Sequence, residues 1–169
     1  MPISVNLSAR QLEYPHLLRA IERALGESGL APELLDIEIT ESVVMRDPHS
    51  AILDKLKAMR IRLTMDDFGT GHSSLASIRN FPFDCIKIDR AFVREIPQNA
   101  DDAALTAAII LMAQSLRLKI VAEGVETPAQ LSFLADHGCH EYQGFLFRKP
   151  EPAQQLAAFL RENAADVTV

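Results

Sequence analysis

The chain repeats one pattern six times: a short apolar segment with strand spacing, followed by a segment with helical spacing. The predicted strands are residues 3–7, 35–40, 61–65, 85–89, 119–123 and 141–145, and the predicted helices span about residues 15–29, 48–59, 73–79, 101–116, 128–134 and 152–161. This alternation is typical of a parallel α/β sheet. The 169 residues fit one domain that can bury a real core.

Polar residues occur in or at the end of every predicted strand. They are Asn6, Glu38, Asp66, Asp67, Lys87, Glu123 and Gln143. A doubly wound sheet concentrates its site at one switch point, whereas a barrel gathers residues from many strands at its carboxyl-end face. The distribution therefore predicts a TIM-like (β/α) barrel that is incomplete, because six units are two short of eight.

The stretch from Met65 to Gly71 places two adjacent aspartates between a strand and a Gly-Thr-Gly turn. Neighbouring residues on an extended strand point to opposite faces, but a twist at the strand end can bring both carboxylates near one point. Paired carboxylates suit a hard cation such as Mg²⁺ or Mn²⁺. The alternative is an Asp-Asp pair that only caps the turn.

Composition excludes several classes of protein. The net charge of -6 argues against a DNA or RNA backbone as the main partner, and no apolar run is long enough to cross a bilayer. Cys85 and Cys139 lack the spacing of a zinc site or a disulfide framework. Reduced thiols in the cytoplasm are the expected state, although upstream segments of a longer protein could anchor it to a membrane.

Six motifs occur in a fixed order: VNLSARQ at 5–11, EITES at 38–42, DDFGTGHSSL at 66–75, KID at 87–89, AEGVET at 122–127 and QGFLF at 143–147. Together they resemble the EAL domain, a family of bacterial phosphodiesterases that linearise cyclic di-GMP. The resemblance covers residues 5–150. We expect an EAL-type domain over residues 1–161, lacking its N-terminal part, and a C-terminal tail over residues 162–169.

The resemblance implies a two-metal hydrolysis of cyclic di-GMP to linear pGpG. The metal ligands for two Mg²⁺ or Mn²⁺ ions would be Asn6, Glu38, Asp66, Asp67 and Glu123, with Asp66 shared between the ions. Lys87 would orient the attacking water, and Glu123 would help to remove its proton. Substrate contacts or loop support would come from Glu41, Gly69, Thr70, Gly71, Glu126 and Gln143. The family's mobile loop also implies a homodimer contact.

Several of these residues have structural alternatives. Asn6 could cap a turn, Glu38 could form an ion pair with Arg62 or Lys87, and Gln143 could satisfy a backbone group. Glu126 could supply negative charge to the first turn of the next helix.

The sequence departs from the family because it contains no Glu-Ala-Leu tripeptide. The family's first two strands and one glutamate ligand are therefore missing, which should weaken a Mg²⁺ site and expose two sheet edges. We expect a fragment of a longer protein with a sensory or GGDEF domain upstream, or, as an alternative, a short form that dimerises across the gap. The alternative function is a catalytically inactive EAL-like module that binds cyclic di-GMP or a protein partner.

Overall fold

A computed structural model describes residues 2–46, 50–69 and 78–162. Within these ranges six parallel strands form one sheet in the order of the sequence. They are β1 (Ile3–Asn6), β2 (Leu35–Thr40), β3 (Arg62–Phe68), β4 (Cys85–Ile88), β5 (Lys119–Glu123) and β6 (Glu141–Gln143). Sequential order with helical crossovers is the connectivity of a barrel, so the predicted incomplete (β/α) barrel is confirmed as a half-barrel.

The described helices are α1 (Ala9–Leu12), α2 (Leu17–Ser28), α3 (Glu41–Arg46), α4 (Ser50–Ala58), α5 (Arg90–Val93), α6 (Ala100–Ser115), α7 (Pro128–Asp136) and α8 (Ala153–Glu162), with a 3₁₀ turn at Pro32–Leu34. The sequence pattern missed the short helices α1, α3 and α5. The helix expected at about residues 73–79 and the tail expected at 162–169 lie almost wholly outside the described residues. None of the described helices has the length and apolar character needed to cross a membrane.

Helix ends follow local sequence chemistry. Gly29 ends α2 in the left-handed conformation with φ +69°, a conformation that costs glycine little. Thr127 begins α7 with a capping box in which its side chain and that of Gln130 satisfy each other's backbone N–H groups. Both ends were predicted from the sequence.

The two faces of the sheet differ in chemistry because strand side chains alternate. One face is apolar and packs against the helices, with the buried residues Ile37, Ile39, Leu63, Met65, Ile86 and Ile88. The other face contains the buried polar residues Asp36, Glu38, Thr64 and Lys87. This polar face is the inner surface of the half-barrel.

The polar face is divided into two layers by strand register. Near the start of the strands, Thr64 donates a hydrogen bond of 2.7 Å to Asp36, and Arg62 lies 4.0 Å from the same carboxylate. Burial raises the pKa of Asp36 despite these two favourable contacts. The second layer, at the carboxyl ends of the strands, contains the candidate site.

Candidate functional site

A β-bulge in β3 brings the two adjacent aspartates to the same region. Met65 pairs with Ile86 and Phe68 pairs with Ile88, so Asp66 and Asp67 together lie opposite Lys87. Asp67 adopts φ +55°, the left-handed region that few residues other than glycine, asparagine and aspartate enter. The extra residue that the bulge inserts into β3 redirects the Asp67 side chain. The sequence predicted a twist at the end of the strand, whereas the twist occurs inside a strand that continues to Phe68.

Three carboxylates converge at this bulge. Asp66, Asp67 and Glu123 each offer an oxygen atom, and the three atoms lie within 4.8 Å of one another. Oxygen donors at this spacing could hold a divalent cation. The sequence expectation that residues from β3 and β5 share one mouth therefore agrees with the geometry.

Lys87 lies at the centre of the carboxylates on β4. Its Nζ is 2.5 Å from Glu123, 2.9 Å from Glu38 and 3.5 Å from Asp66. Burial alone lowers the pKa of Lys87, but the hydrogen bonds to Glu123 and Glu38 outweigh it and hold the pKa above its usual value. The ion pair of Glu38 with Lys87, one of the structural alternatives, is therefore present, whereas Arg62 approaches Asp36 instead of Glu38.

The carboxylates outnumber the cation that faces them. Burial raises the pKa of Glu123, although Lys87 opposes this shift. Burial also raises the pKa of Asp67, and the neighbouring Asp66 raises it further. Asp66 Oδ1 is buried and, within the described part of the chain, has no hydrogen-bond partner. Its contact with Lys87 Nζ at 3.5 Å is an ion pair without a hydrogen bond, and a buried carboxylate oxygen that accepts no hydrogen bond is suited to a bound cation.

Glu41 fixes the turn that follows the aspartates. Its side chain is buried at the start of α3 and accepts a hydrogen bond of 2.9 Å from the Gly69 amide. Gly69 has φ +95°, and a Cβ atom added there would lie 2.8 Å from the ring of Phe92. The two residues predicted to support the loop are thus in contact, while Thr70 and Gly71 lie outside the described residues.

The remaining candidates lie around the cluster. Asn6 is exposed on the edge strand β1, in register with the buried Glu38. Gln143 is exposed on β6, in register with Glu123. Glu126 precedes the N-cap Thr127 and donates its backbone N–H to Gln130. Because it lies outside the first turn of α7, the structure does not support its alternative role there.

Sequence reasoning overlooked two residues at the end of β4. Asp89 raises the pKa of the neighbouring Asp67 and caps α5 through the Ala91 amide at 2.7 Å. Arg90 follows it and packs against Gly124. The KID motif contained Asp89, but its role depends on the bulge in β3, which the sequence pattern did not reveal.

The fold and site define a parallel half-barrel with a carboxylate cluster and one lysine at the carboxyl ends of its strands. The family model for the EAL domain matches residues 1–150. The chain belongs to the EAL domain family.

Relatives from Pseudomonas aeruginosa match most of the chain. It is 47% identical over 158 residues to the bifunctional diguanylate cyclase/cyclic di-GMP phosphodiesterase MucR, covering 92% of this chain and 23% of MucR. It is 44% identical over 166 residues to the cyclic di-GMP phosphodiesterase NbdA, covering 97% of this chain and 21% of NbdA. The chain thus spans about a fifth of the length of these curated relatives.

Solved structures have the same fold. The MucR phosphodiesterase in complex with c-di-GMP superimposes with a TM-score of 0.87 at 46% identity, over 92% of this chain and 64% of that one. A manganese and cyclic di-GMP complex of Klebsiella pneumoniae BlrP1 gives a TM-score of 0.82 at 32% identity, over 88% of this chain and 39% of that one.

Proposed function

We propose that this chain provides the hydrolytic site of a metal-dependent phosphodiesterase that converts cyclic di-GMP to linear pGpG. The observation on which this depends is the convergence of Asp66, Asp67 and Glu123 within 4.8 Å around a buried lysine. The names of the relatives MucR and NbdA support the substrate. We also propose that the protein acts in the bacterial cytoplasm, forms a homodimer and has a sensory or GGDEF domain upstream.

Five residues would supply the oxygen donors for two divalent cations. Asn6, Glu38 and Asp66 would hold one ion, and Asp66, Asp67 and Glu123 would hold the other. All of these donors are oxygen atoms, which Mg²⁺ and Mn²⁺ prefer, and the buried Asp66 Oδ1 lacks a hydrogen-bond donor among the described residues. The manganese complex of BlrP1 supports the metal type. A bound pair of cations would neutralise phosphate charge and acidify the attacking water.

The chain's own side chains would carry out the remaining tasks. Water attacks phosphorus, the P–O3′ ester bond breaks, and the leaving 3′ oxygen takes up a proton. Lys87 would orient that water and offset charge on the phosphate. Glu123 would accept the water's proton. Glu41 would hold the Gly69 turn in place during the reaction, and Thr70, Gly71, Glu126 and Gln143 would contact the substrate or support the loop.

The test is production of pGpG from cyclic di-GMP by the protein containing this chain, with Mg²⁺ or Mn²⁺ supplied or chelated. We expect turnover only with metal, and Asp66→Asn should abolish it because the shared anionic ligand is lost. Asp136→Asn, at an exposed position of α7, is the matched control. Wild-type turnover by Asp66→Asn at saturating metal would contradict the bridging role.

A second candidate function is binding of cyclic di-GMP without hydrolysis. It comes from the sequence, because the 169 residues contain no Glu-Ala-Leu tripeptide. Saturable binding of cyclic di-GMP with no pGpG at any Mg²⁺ or Mn²⁺ concentration would support this receptor function over the hydrolase.

A further inference from the structure

The short helix α5 lies next to both segments that supply the three converging carboxylates. Asp66 and Asp67 lie on β3 and Glu123 ends β5, while α5 directly follows β4, the strand between them. Neighbouring strands are about 4.8 Å apart, so side chains from β3 and β5 must reach across β4 to meet. Their oxygen atoms lie within 4.8 Å of one another. A small displacement of either strand end would therefore separate the ligand atoms.

On the β3 side, α5 packs the ring of Phe92 against Gly69, which lies two positions beyond Asp67. A Cβ atom at Gly69 would lie 2.8 Å from Phe92 Cε2 and 3.0 Å from Phe92 Cζ, so the glycine permits this close approach. The Gly69 amide donates a hydrogen bond of 2.9 Å to Glu41. The backbone that follows the two aspartates is therefore held by a carboxylate from one element and by a ring from another.

On the β5 side, α5 packs its first residue against Gly124, which directly follows Glu123. Gly124 has φ +68°, and a Cβ atom there would lie 2.6 Å from Arg90 Cβ. A larger residue at position 124 would force β5 and α5 apart. The same four-residue helix thus contacts a glycine beside each source of carboxylates.

Helix α6 and a local cap fix the position of α5. Thr106 is buried on α6 and donates a hydrogen bond of 3.1 Å to the Phe92 carbonyl. Ile109, one turn further along α6, lies 3.4 Å from the position of a Gly69 Cβ atom. Asp89 caps α5 by accepting a hydrogen bond of 2.7 Å from the Ala91 amide. Because four residues are too few to form a stable helix alone, α5 depends on these contacts.

We propose that α5 sets the separation of the carboxylates on β3 and β5, and that Phe92 is a positioning residue for Asp66 and Asp67. Phe92 would act through Gly69 and would not contact the ion. Ligands that are already held in place bind more tightly than ligands that the ion itself must order. The assignment rests on the proposed function, because it concerns the same metal site.

The test is calorimetric titration of Mn²⁺ into the protein containing this chain, at a temperature at which every variant is folded. Phe92→Ala should weaken Mn²⁺ binding by about 10- to 100-fold, the usual effect of removing a group that orients metal ligands. Phe92→Leu keeps an apolar contact with Gly69 and should recover most of the affinity. Phe83→Ala is the control, because Phe83 is buried at the opposite end of β4. It should lower the Tm in EDTA, as Phe92→Ala does, without weakening Mn²⁺ binding.

Gly124→Ala tests the β5 side independently and should also weaken Mn²⁺ binding by at least about 10-fold. Gly29→Ala is its control, because Gly29 has φ +69° but no atom within 4 Å of an added Cβ. It should therefore carry the same backbone strain and leave Mn²⁺ binding unchanged.

Wild-type Mn²⁺ affinity in Phe92→Ala overturns the inference. Equal losses of affinity in Phe92→Ala and Phe83→Ala, or in Gly124→Ala and Gly29→Ala, also overturn it, because the effect would then follow from general destabilisation. A wild-type protein that binds Mn²⁺ but forms no pGpG contradicts the proposed function instead, and the affinities of the variants still decide the role of α5.

Discussion

Replacing Lys87 by methionine should destabilise the protein strongly when no divalent metal is present. Methionine is close to lysine in length, so the change removes mainly the charge. It leaves Glu38, Asp66 and Glu123 without the ammonium group that now lies 2.5–3.5 Å from them. Breaking a buried ion pair by removing one partner costs about 3–5 kcal/mol. For a chain of this size that corresponds to a fall in Tm of about 6–20 °C.

The assay is differential scanning calorimetry in EDTA and then in MgCl₂. Because added cations would replace the lost positive charge, Mg²⁺ should raise the Tm of Lys87→Met more than that of wild type. Lys119→Met is the matched control, since the Lys119–Glu141 pair is exposed and such pairs contribute about 0–1 kcal/mol. If Lys87→Met and Lys119→Met melt at the same temperature in EDTA, Lys87 does not hold the carboxylates together and the electrostatic reasoning is wrong.

Three further predictions concern stability and thiol reactivity. In urea unfolding, Gly69→Ala should lower the free energy of unfolding by about 1–3 kcal/mol, because Gly69 has φ +95° and faces Phe92. Gly26→Ala, in open space within α2, is the control and should not destabilise the protein. Asp36→Asn should stabilise the protein at neutral pH. Burial raises the folded-state pKa of Asp36, so the wild-type free energy of unfolding falls as pH rises above the unfolded pKa of about 3.9. If the variant remained more stable than wild type below that pH, this reasoning would be refuted. Burial raises the pKa of Cys85 to about 12 and that of Cys139 to about 11. Both thiols should therefore react with Ellman's reagent at pH 8 only as the protein unfolds. Rapid labelling of the native protein would contradict this prediction.

Much of the fold could be predicted because strand and helix periodicities are local. The strands Leu35–Thr40 and Lys119–Glu123 have the predicted bounds, and the polar residue in each strand distinguished a barrel from a doubly wound sheet. The short helices α1, α3 and α5 were missed because four to six residues contain too few apolar positions to define a helical period.

The site was predicted less completely. Motifs identified Glu38, Asp66, Lys87 and Glu123, and these four are close together in the structure. The metal-ligand roles, the contribution of Asn6 and the substrate contacts of Glu126 and Gln143 stay predictions. The contacts of Asp89 and Arg90 were missed because they involve Asp67 on β3 and Gly124 at the end of β5.

The sequence by itself determined the alternation of elements and the ends of α2 and α7, because each depends on residues within a few positions of one another. Only the tertiary structure decided that Asp66 and Asp67 share one strand position opposite Lys87, and that Lys87 lies between three carboxylates from three other strands. A bulge and a strand register are properties of paired strands. The distances that decide whether these carboxylates form an ion pair or a metal site are therefore set by contacts between segments far apart in the chain.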